Sequence, residues 1–203
     1  MKNTDDKLII WCDDSKMLSP EEEAKYTWTE DDEKKISMIV DETWKQLGLP
    51  NDAPTPEKPA NASDVAKYIL KEQGKMTTWK LQKLCYYAQV WHFIWTEKRL
   101  IKQDFQAWKN GPVCRELFKQ HQGDLVISAD DIQGNVDILS DEQKDSINVM
   151  LEHYGELTPG ELVELTHSEE PYIKARGNLP ANARSKNIIT LESMKEYYGK
   201  HLI

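Results

Sequence analysis

Apolar residues recur at helical spacing through most of the chain. The strongest pattern runs from Thr77 to Lys98, where leucine, tyrosine and tryptophan side chains cover most of the girth of one helix. A helix with so wide an apolar face needs protein around it, so we expect it to form the centre of a core. Shorter amphipathic patterns predict further helices after Ser63, Ser140, Thr158, Pro171 and Thr190. The pattern therefore predicts a mainly α, compact helical domain.

The predicted helix ends have recognisable signals. Thr77 or Thr78 is a suitable N-cap for the central helix, and Ser140 with Gln143 forms a capping box for a later one. Thr158 begins a second capping box, with a proline at the first helical position. Glycine at position 74 and at position 155 ends two of the helices.

The pattern weakens in two places between these helices. Residues 100–108 are typical of extended or irregular chain, and Asn110, Gly111 and Pro112 predict a turn with proline at or near the start of a short helix. Residues 125–140 alternate weakly between apolar and polar and contain turn signals. A small β-hairpin is therefore plausible in residues 125–140.

Prolines divide the chain into two parts. Residues 49–62 contain four prolines and predict an extended, Pro-rich linker. Residues 1–48 predict an acidic helical N-terminal extension, and residues 63–203 the helical domain. Residues 1–62 carry 8 lysines against 15 acidic residues, a net charge of −7. The apolar stripe of the extension, which includes Trp44, needs a surface to pack on, either the second part of the chain or another protein.

Composition and charge exclude several classes of protein. The net charge of −9 disfavours a nucleic-acid partner, because phosphates repel carboxylates. The longest apolar run is far shorter than the roughly 20 residues of a membrane span, so no membrane is expected. The three cysteines lack the spacing of a zinc site or of a disulfide framework. We expect a cytoplasmic protein, since the sequence begins without the features of a signal peptide.

The sequence contains no recognisable catalytic motif. Nucleophile-elbow, phosphate-loop and dinucleotide-binding patterns are absent, and the five histidines form no close pair. We therefore predict no metal and no cofactor. His92, on the apolar helix, is interpreted as a hydrogen-bonded, partly buried residue. Cys114 is predicted in the first turn of a helix, which lowers a thiol pKa, although we expect a structural role for this residue.

Two further clusters carry charge. Residues 166–170, Thr-His-Ser-Glu-Glu, place an alcohol, an imidazole and two carboxylates together, a combination capable of acid–base chemistry. The alternative is that Glu169 and Glu170 stabilise the start of the next helix. A repressor needs a basic recognition helix, and we rank this function last because the surrounding surface is near neutral. The best basic residues for it are Lys80, Lys83, Lys98 and Arg99.

Four segments together resemble a known family. They are residues 80–92 (KLQKLCYYAQVWH), 104–113 (DFQAWKNGPV), 116–118 (ELF) and 165–176 (LTHSEEPYIKAR). In order and spacing they are similar to the Panacea domain, also described as SocA-like or phage-associated. The resemblance covers roughly residues 62–184.

The resemblance implies an antitoxin of a toxin–antitoxin pair. Such proteins are mostly helical, have no recognised enzymatic activity and bind a cognate protein toxin encoded nearby. One branch acts as an adaptor that delivers its toxin to a bacterial ATP-dependent protease, which is the alternative function. An uncharacterised enzyme that uses the cluster around His167 is a third, less favoured possibility.

A binding protein needs an accessible patch held by a firm scaffold, and the tryptophan-rich helix is the expected scaffold. Loops carry binding residues more often than core helices do, which favours the irregular segment after residue 100. Core packing of Trp108 and a simple helix-start turn at residues 110–112 are the alternatives. The predicted partner-binding residues are Trp108, Lys109, Gly111 and Pro112, with His167, Glu170 and Arg176 beside them, and Trp44 in the N-terminal extension.

Overall fold

A computed structural model describes residues 58–200, together with Lys34 of the preceding part. The chain divides into two units after Thr55, and residues 58–200 lie in the second of them. Nearly all of the predicted extension (1–48) and most of the predicted linker (49–62) lie outside the described residues, as does Trp44. These domain boundaries therefore stay predictions.

Residues 58–200 form seven α-helices and five short strands. The helices are α1 (Ala62–Gln73), α2 (Thr78–Thr96), α3 (Arg115–Gln120), α4 (Asp141–Tyr154), α5 (Pro159–Ser168), α6 (Glu170–Arg176) and α7 (Leu191–Tyr198). The strands are β1 (Met76–Thr77), β2 (Phe105–Trp108), β3 (Gly111–Cys114), β4 (Val126–Ile127) and β5 (Ile188–Ile189). The predicted mainly α fold with a small antiparallel β element is confirmed. Among the described residues, no helix is both long and apolar enough to cross a lipid bilayer.

Helix α2 is the centre of the core, as its apolar pattern predicts. Every residue from Leu81 to His92 is buried, and helices α1, α4, α5 and α7 pack around it. Aromatic rings fix its position: Tyr87 stacks on Tyr154 at 4.2 Å and 8°, and Tyr86 meets Phe105 edge-on at 5.5 Å. Buried aromatic pairs of this kind add to the free energy gained from apolar burial.

The predicted helix caps are largely confirmed. Thr77 accepts the Lys80 N–H and begins α2, and the boxes at Ser140 and Thr158 begin α4 and α5. Helix α1 starts two residues earlier than Ser63 suggests, because Asn61 is its N-cap and Asp64 accepts the Asn61 backbone N–H at 2.9 Å. The last residues of the predicted linker thus belong to the fold.

The β-hairpin lies elsewhere than predicted. Strands β2 and β3 pair antiparallel around the turn at Lys109 and Asn110, and β5 joins the other edge of β2. Gly111 to Cys114 is therefore a strand, and the prediction of a helix starting at Pro112 is wrong. Residues 126–127 pair with β1 instead of forming a hairpin within 125–140. The weakly alternating stretch contains the two-residue strand β4, followed by two short 3-10 helices at Ala129–Asp131 and Val136–Ile138.

Candidate functional site

The hairpin turn presents four of the predicted partner-binding residues. Trp108 is half-buried; its indole N–H donates to Gln106 Oε1 at 2.8 Å and its ring meets Phe118 edge-on at 4.9 Å. Lys109 is exposed at the turn, whereas Gly111 and Pro112 are buried in β3. The turn therefore offers one half-exposed ring and one exposed cation.

Helix α6 holds this turn from behind. The Tyr172 hydroxyl donates to the backbone carbonyls of Trp108 at 2.7 Å and Lys109 at 3.3 Å. His167 stacks on the Tyr172 ring at 4.7 Å and 7°. Desolvation, together with the charges of Lys83 and Arg176, lowers the pKa of His167. His167 thus lies near the hairpin, as predicted, and its ring is linked to the turn through Tyr172.

Arg176 and Glu170 lie in different surroundings. The Arg176 guanidinium is buried and donates to the carbonyls of Ala107 at 3.2 Å and Pro180 at 2.7 Å, so it fastens β2 to the segment after α6. This placement gives Arg176 a scaffold role in place of the exposed contact expected from the sequence. Glu170 is exposed and pairs with Lys174 at 3.1 Å. The structure brings Glu170 into no contact with the hairpin turn.

A buried lysine on α2 lies directly under the hairpin. Lys83 is only 2% exposed, and a Cβ placed on Gly111 would overlap the Lys83 Cε and lie 3.1 Å from its Nζ. Gly111 also has φ = +104°, a conformation that favours glycine. Burial lowers the pKa of Lys83 to about 7. Because Lys83 is buried under the hairpin, it is not part of an exposed basic helix face, which removes a central residue of the recognition-helix interpretation.

Lys83 lines a pocket between α2, the hairpin and the loop after α3, here named the Lys83 pocket. Its volume is about 290 Å³. Gln82 and His121 form one wall, the Gln82 amide nitrogen lying 2.9 Å from His121 Nε2, and burial lowers the pKa of His121. The pocket is lined by Thr78, Trp79, Gln82, Lys83, Trp108, Lys109, Asn110, Val113, Phe118, His121, Gly123 and Asp124.

An exposed apolar rim borders this pocket. Trp79 is 52% exposed, Leu125 80% and Val126 54%. The loop that carries Leu125 and Val126 lies beside the start of α2, because the Thr78 N–H donates to the Leu125 carbonyl at 3.1 Å and Val126 pairs with Thr77. Exposed apolar groups clustered around a recess are typical of a surface that meets another protein.

Sequence reasoning missed Lys83 as a site residue, although a signal was present. Charged side chains are rarely buried, and a lysine inside a helix that is apolar around most of its girth has little route to solvent. Trp79, one helical turn before Lys83, lines the same pocket. The burial of Lys83 depends on a non-local contact, because no residue near Lys83 in sequence shows that the hairpin covers it.

The Thr-His-Ser-Glu-Glu cluster does not assemble into an acid–base site. Glu169 is buried and accepts the hydroxyls of Tyr87 at 2.9 Å and Tyr198 at 2.5 Å. The Thr166 hydroxyl donates within its own helix, to the Leu162 carbonyl at 3.0 Å. Glu169 is the N-cap residue of α6, without a side-chain capping hydrogen bond, and Glu170 lies in the first turn of that helix, as the alternative interpretation expects.

The cysteine interpretation needs one correction. Cys114 precedes α3, as N-cap, but burial raises its pKa to about 11, outweighing the helix N-terminus. Burial likewise raises the pKa of Cys85. Within residues 58–200, no group of three or more His, Cys, Asp or Glu side chains is placed to hold a metal ion. His92 is fully buried, and its Nδ1 lies 3.0 Å from the Ser146 hydroxyl.

Comparison with known proteins gives one match. Residues 81–172 match the family model described as Antitoxin SocA-like, Panacea domain. The matched stretch runs from α2 to α6 and includes Lys83, the hairpin and Tyr172. The resemblance seen in the sequence is thereby confirmed over these residues. No curated protein and no solved structure matches the chain.

Proposed function

Because residues 81–172 match the Panacea domain, we propose that this chain is an antitoxin that neutralises a cognate protein toxin, encoded nearby, by binding it directly. The family match is the observation that carries the proposal. The family suggests an antitoxin role in general terms. The direct-binding mechanism is our inference from the surface described above.

The hairpin supports this inference because hydrogen bonds from α6 hold it against the rest of the fold. Tyr172 fixes the turn, and Arg176 fastens the strand leading into it. Binding to a preorganised surface loses less conformational entropy than binding that must first order a loop. A protein that blocks another by occupancy benefits from such a surface.

The apolar rim supports it as well. Trp79, Leu125 and Val126 remain exposed beside a recess that contains a second tryptophan, Trp108. Tryptophan is enriched among the residues that dominate protein–protein binding energy. We therefore propose that the toxin binds at this rim and at the hairpin turn.

The enzyme alternative receives no such support. Glu169 lies in the core between two tyrosine hydroxyls, and Thr166 bonds within its own helix. Acid–base catalysis needs ionisable groups that converge on one accessible point. The side chains of residues 166–170 have separate surroundings.

Co-expression with the neighbouring reading frames tests the proposal. We expect one neighbour to arrest growth when expressed alone, growth to resume when this chain is present, and the two proteins to copurify intact. Growth arrest that this chain does not relieve, or relief without a complex, would contradict direct neutralisation. Loss of the toxin only when an ATP-dependent protease is present would instead show delivery for degradation.

The two exposed tryptophans of α2 provide a matched pair for this experiment. Trp79 lies at the rim at the start of the helix, and Trp95, 44% exposed, lies near its other end. We expect Trp79→Ala to weaken toxin binding at least about tenfold, because it removes a large ring from the contact. Trp95→Ala should change binding less than about threefold. Equal effects of the two substitutions would place the toxin elsewhere.

A further inference from the structure

The Lys83 pocket contains a buried lysine that has no anionic partner among residues 58–200. Within residues 58–200 the Lys83 ammonium makes no hydrogen bond or ion pair, and burial is the one cause that lowers its pKa. Burying a charge without a partner is costly, and removing the charge from such a site usually stabilises a fold. A buried lysine that lines a pocket and has a shifted pKa is a candidate for a functional site.

The surrounding residues make the site suited to a carboxylate. Gln82 and His121 bond to each other, and burial favours neutral His121, so this wall neither neutralises nor strongly repels an anion. Lys109, exposed at the mouth, adds a second positive charge. Asp124, also exposed at the mouth, is the one carboxylate among the described residues that line the pocket.

Gly111 has a specific part in this arrangement. Its missing side chain leaves the space that the end of Lys83 occupies, and its positive φ lets the strand turn over the lysine. A bulkier residue would push the hairpin away or force Lys83 out of its position. The hairpin and the lysine are therefore packed as one unit.

The dimensions favour a side chain over a free metabolite. About 290 Å³ is at the small end of the range of ligand pockets and is enough for one or two side chains. The exposed side chains of Trp79, Leu125 and Val126 lie outside the recess. A small acid bound in the recess would leave these apolar side chains exposed to water. A protein segment with an acidic residue among apolar ones would cover both.

We propose that the Lys83 pocket receives a carboxylate from the partner toxin, an Asp or Glu side chain flanked by apolar residues that lie on Trp79, Leu125 and Val126. The proposal rests on the proposed antitoxin function and names the chemistry of the contact. Lys83 supplies the charge at the base of the pocket, and the rim supplies apolar area. Neither feature acts on the partner chemically.

The test compares Lys83→Met with Lys109→Met in the full chain. Methionine keeps most of the length of the stem and removes the charge. We expect Lys83→Met to weaken binding of the purified toxin at least about tenfold, with an unchanged or higher melting temperature. Lys109→Met, which removes an exposed charge at the same mouth, should weaken it less than about threefold. Unchanged toxin affinity of a folded Lys83→Met variant overturns the proposal.

Variants of the toxin keep the proposal testable even if Lys83→Met fails to fold. Each exposed Asp or Glu of the toxin is changed to Asn or Gln, and the pKa of Lys83 is followed by NMR of its side chain in the complex. We expect the wild-type toxin to raise this pKa and one toxin variant to abolish the rise and weaken binding. A pKa that no toxin carboxylate changes overturns the proposal.

A titration with a small carboxylic acid distinguishes failure of this inference from failure of the proposed function. The free chain is titrated with 3-phenylpropionate and with its uncharged alcohol, 3-phenylpropanol, and the Lys83 signals are observed. Tight, charge-dependent binding of the acid, together with no toxin affinity in any neighbour, would assign the pocket to a small carboxylate and overturn the protein source. Toxin neutralisation that does not depend on Lys83 would overturn the pocket proposal and leave the proposed function intact.

Discussion

Lys83 on the central helix and Glu169, which bonds to that helix, are both buried and charged, and their surroundings differ. Glu169 accepts two tyrosine hydroxyls, from Tyr87 at 2.9 Å and Tyr198 at 2.5 Å, so its carboxylate has partners inside the fold. Lys83 lies under the hairpin with no such partner among residues 58–200. The first arrangement joins α2, α7 and the start of α6, whereas the second faces a pocket.

The difference indicates where the molecule is built for stability and where for binding. A buried charge with hydrogen-bond partners holds the elements that supply them, and removing it leaves those partners unsatisfied. A buried charge without partners lowers stability and is expected where function uses it. The Glu169 region therefore belongs to the scaffold, whereas the Lys83 region is the one for which we propose partner recognition.

The largest effect is expected at the hairpin above Lys83. Gly111→Ala should lower the free energy of unfolding by about 4 kcal/mol, since the new methyl group overlaps Lys83 and the residue has φ = +104°. Urea denaturation measures the loss. Gly123 is the control: its φ is +106° but nothing lies within 4 Å of an added Cβ, so Gly123→Ala should cost only about 1 kcal/mol. Equal losses would show that Lys83 does not fill the space under Gly111.

The next effect concerns the satisfied charge. Glu169→Ala should lower the free energy of unfolding by about 3 kcal/mol, because it leaves the hydroxyls of Tyr87 and Tyr198 without their acceptor. The adjacent Glu170 is exposed and forms a surface ion pair with Lys174, so Glu170→Ala should cost less than about 1 kcal/mol. Chemical denaturation of both variants makes the comparison. A Glu169→Ala variant as stable as Glu170→Ala would contradict the scaffold role.

The smallest effect concerns the unsatisfied charge and depends on pH. The pKa of Lys83 is about 7 in the fold, against 10.5 for an ordinary exposed lysine, so between these values the unfolded chain binds the extra proton. The free-energy cost of burying Lys83 is largest below pH 7, where the lysine is charged in both the folded and the unfolded chain. The free energy of unfolding of the wild type therefore rises as the pH increases from 7 towards 10.5. Lys83→Met should be more stable than the wild type at pH 7, and its advantage should shrink by about 2 kcal/mol by pH 9.

Denaturation curves of both proteins at the two pH values measure this change. Lys109→Met is the control, because it removes an exposed lysine from the lining of the same pocket. A stability difference between Lys83→Met and the wild type that is the same at both pH values would mean that Lys83 has a counter-charge in the fold.

Much of the helical framework was predictable because its signals are local. The periodicity of residues 77–98 identified the central helix, and the capping boxes at Ser140 and Thr158 located two helix starts correctly. Both kinds of signal depend on residues a few positions apart, so sequence shows them directly. The Panacea resemblance likewise rested on the order of local segments.

The sheet and the site were harder to predict because they depend on distant pairing. Nothing near Gly111 in sequence shows that β2 will pair with Ile188 and Ile189, or that residues 126–127 will pair with β1. The same limit concealed Lys83, whose burial depends on a hairpin roughly 25 to 30 positions later, a separation that no local window includes. Trp108, Lys109 and His167 nevertheless lie near one another, linked through Tyr172, as the argument from the irregular loop expects.

Hydrogen–deuterium exchange of the free chain and of its toxin complex tests most directly whether the chain works by occupying a partner with the Lys83 side of the molecule. We predict that the toxin slows exchange at residues 78–83 and 105–126, which contain the rim, the hairpin and the pocket. Residues 191–198, on the Glu169 side, should exchange at the same rate in both samples. Protection confined to residues 191–198, or no protection in either region, would contradict this account.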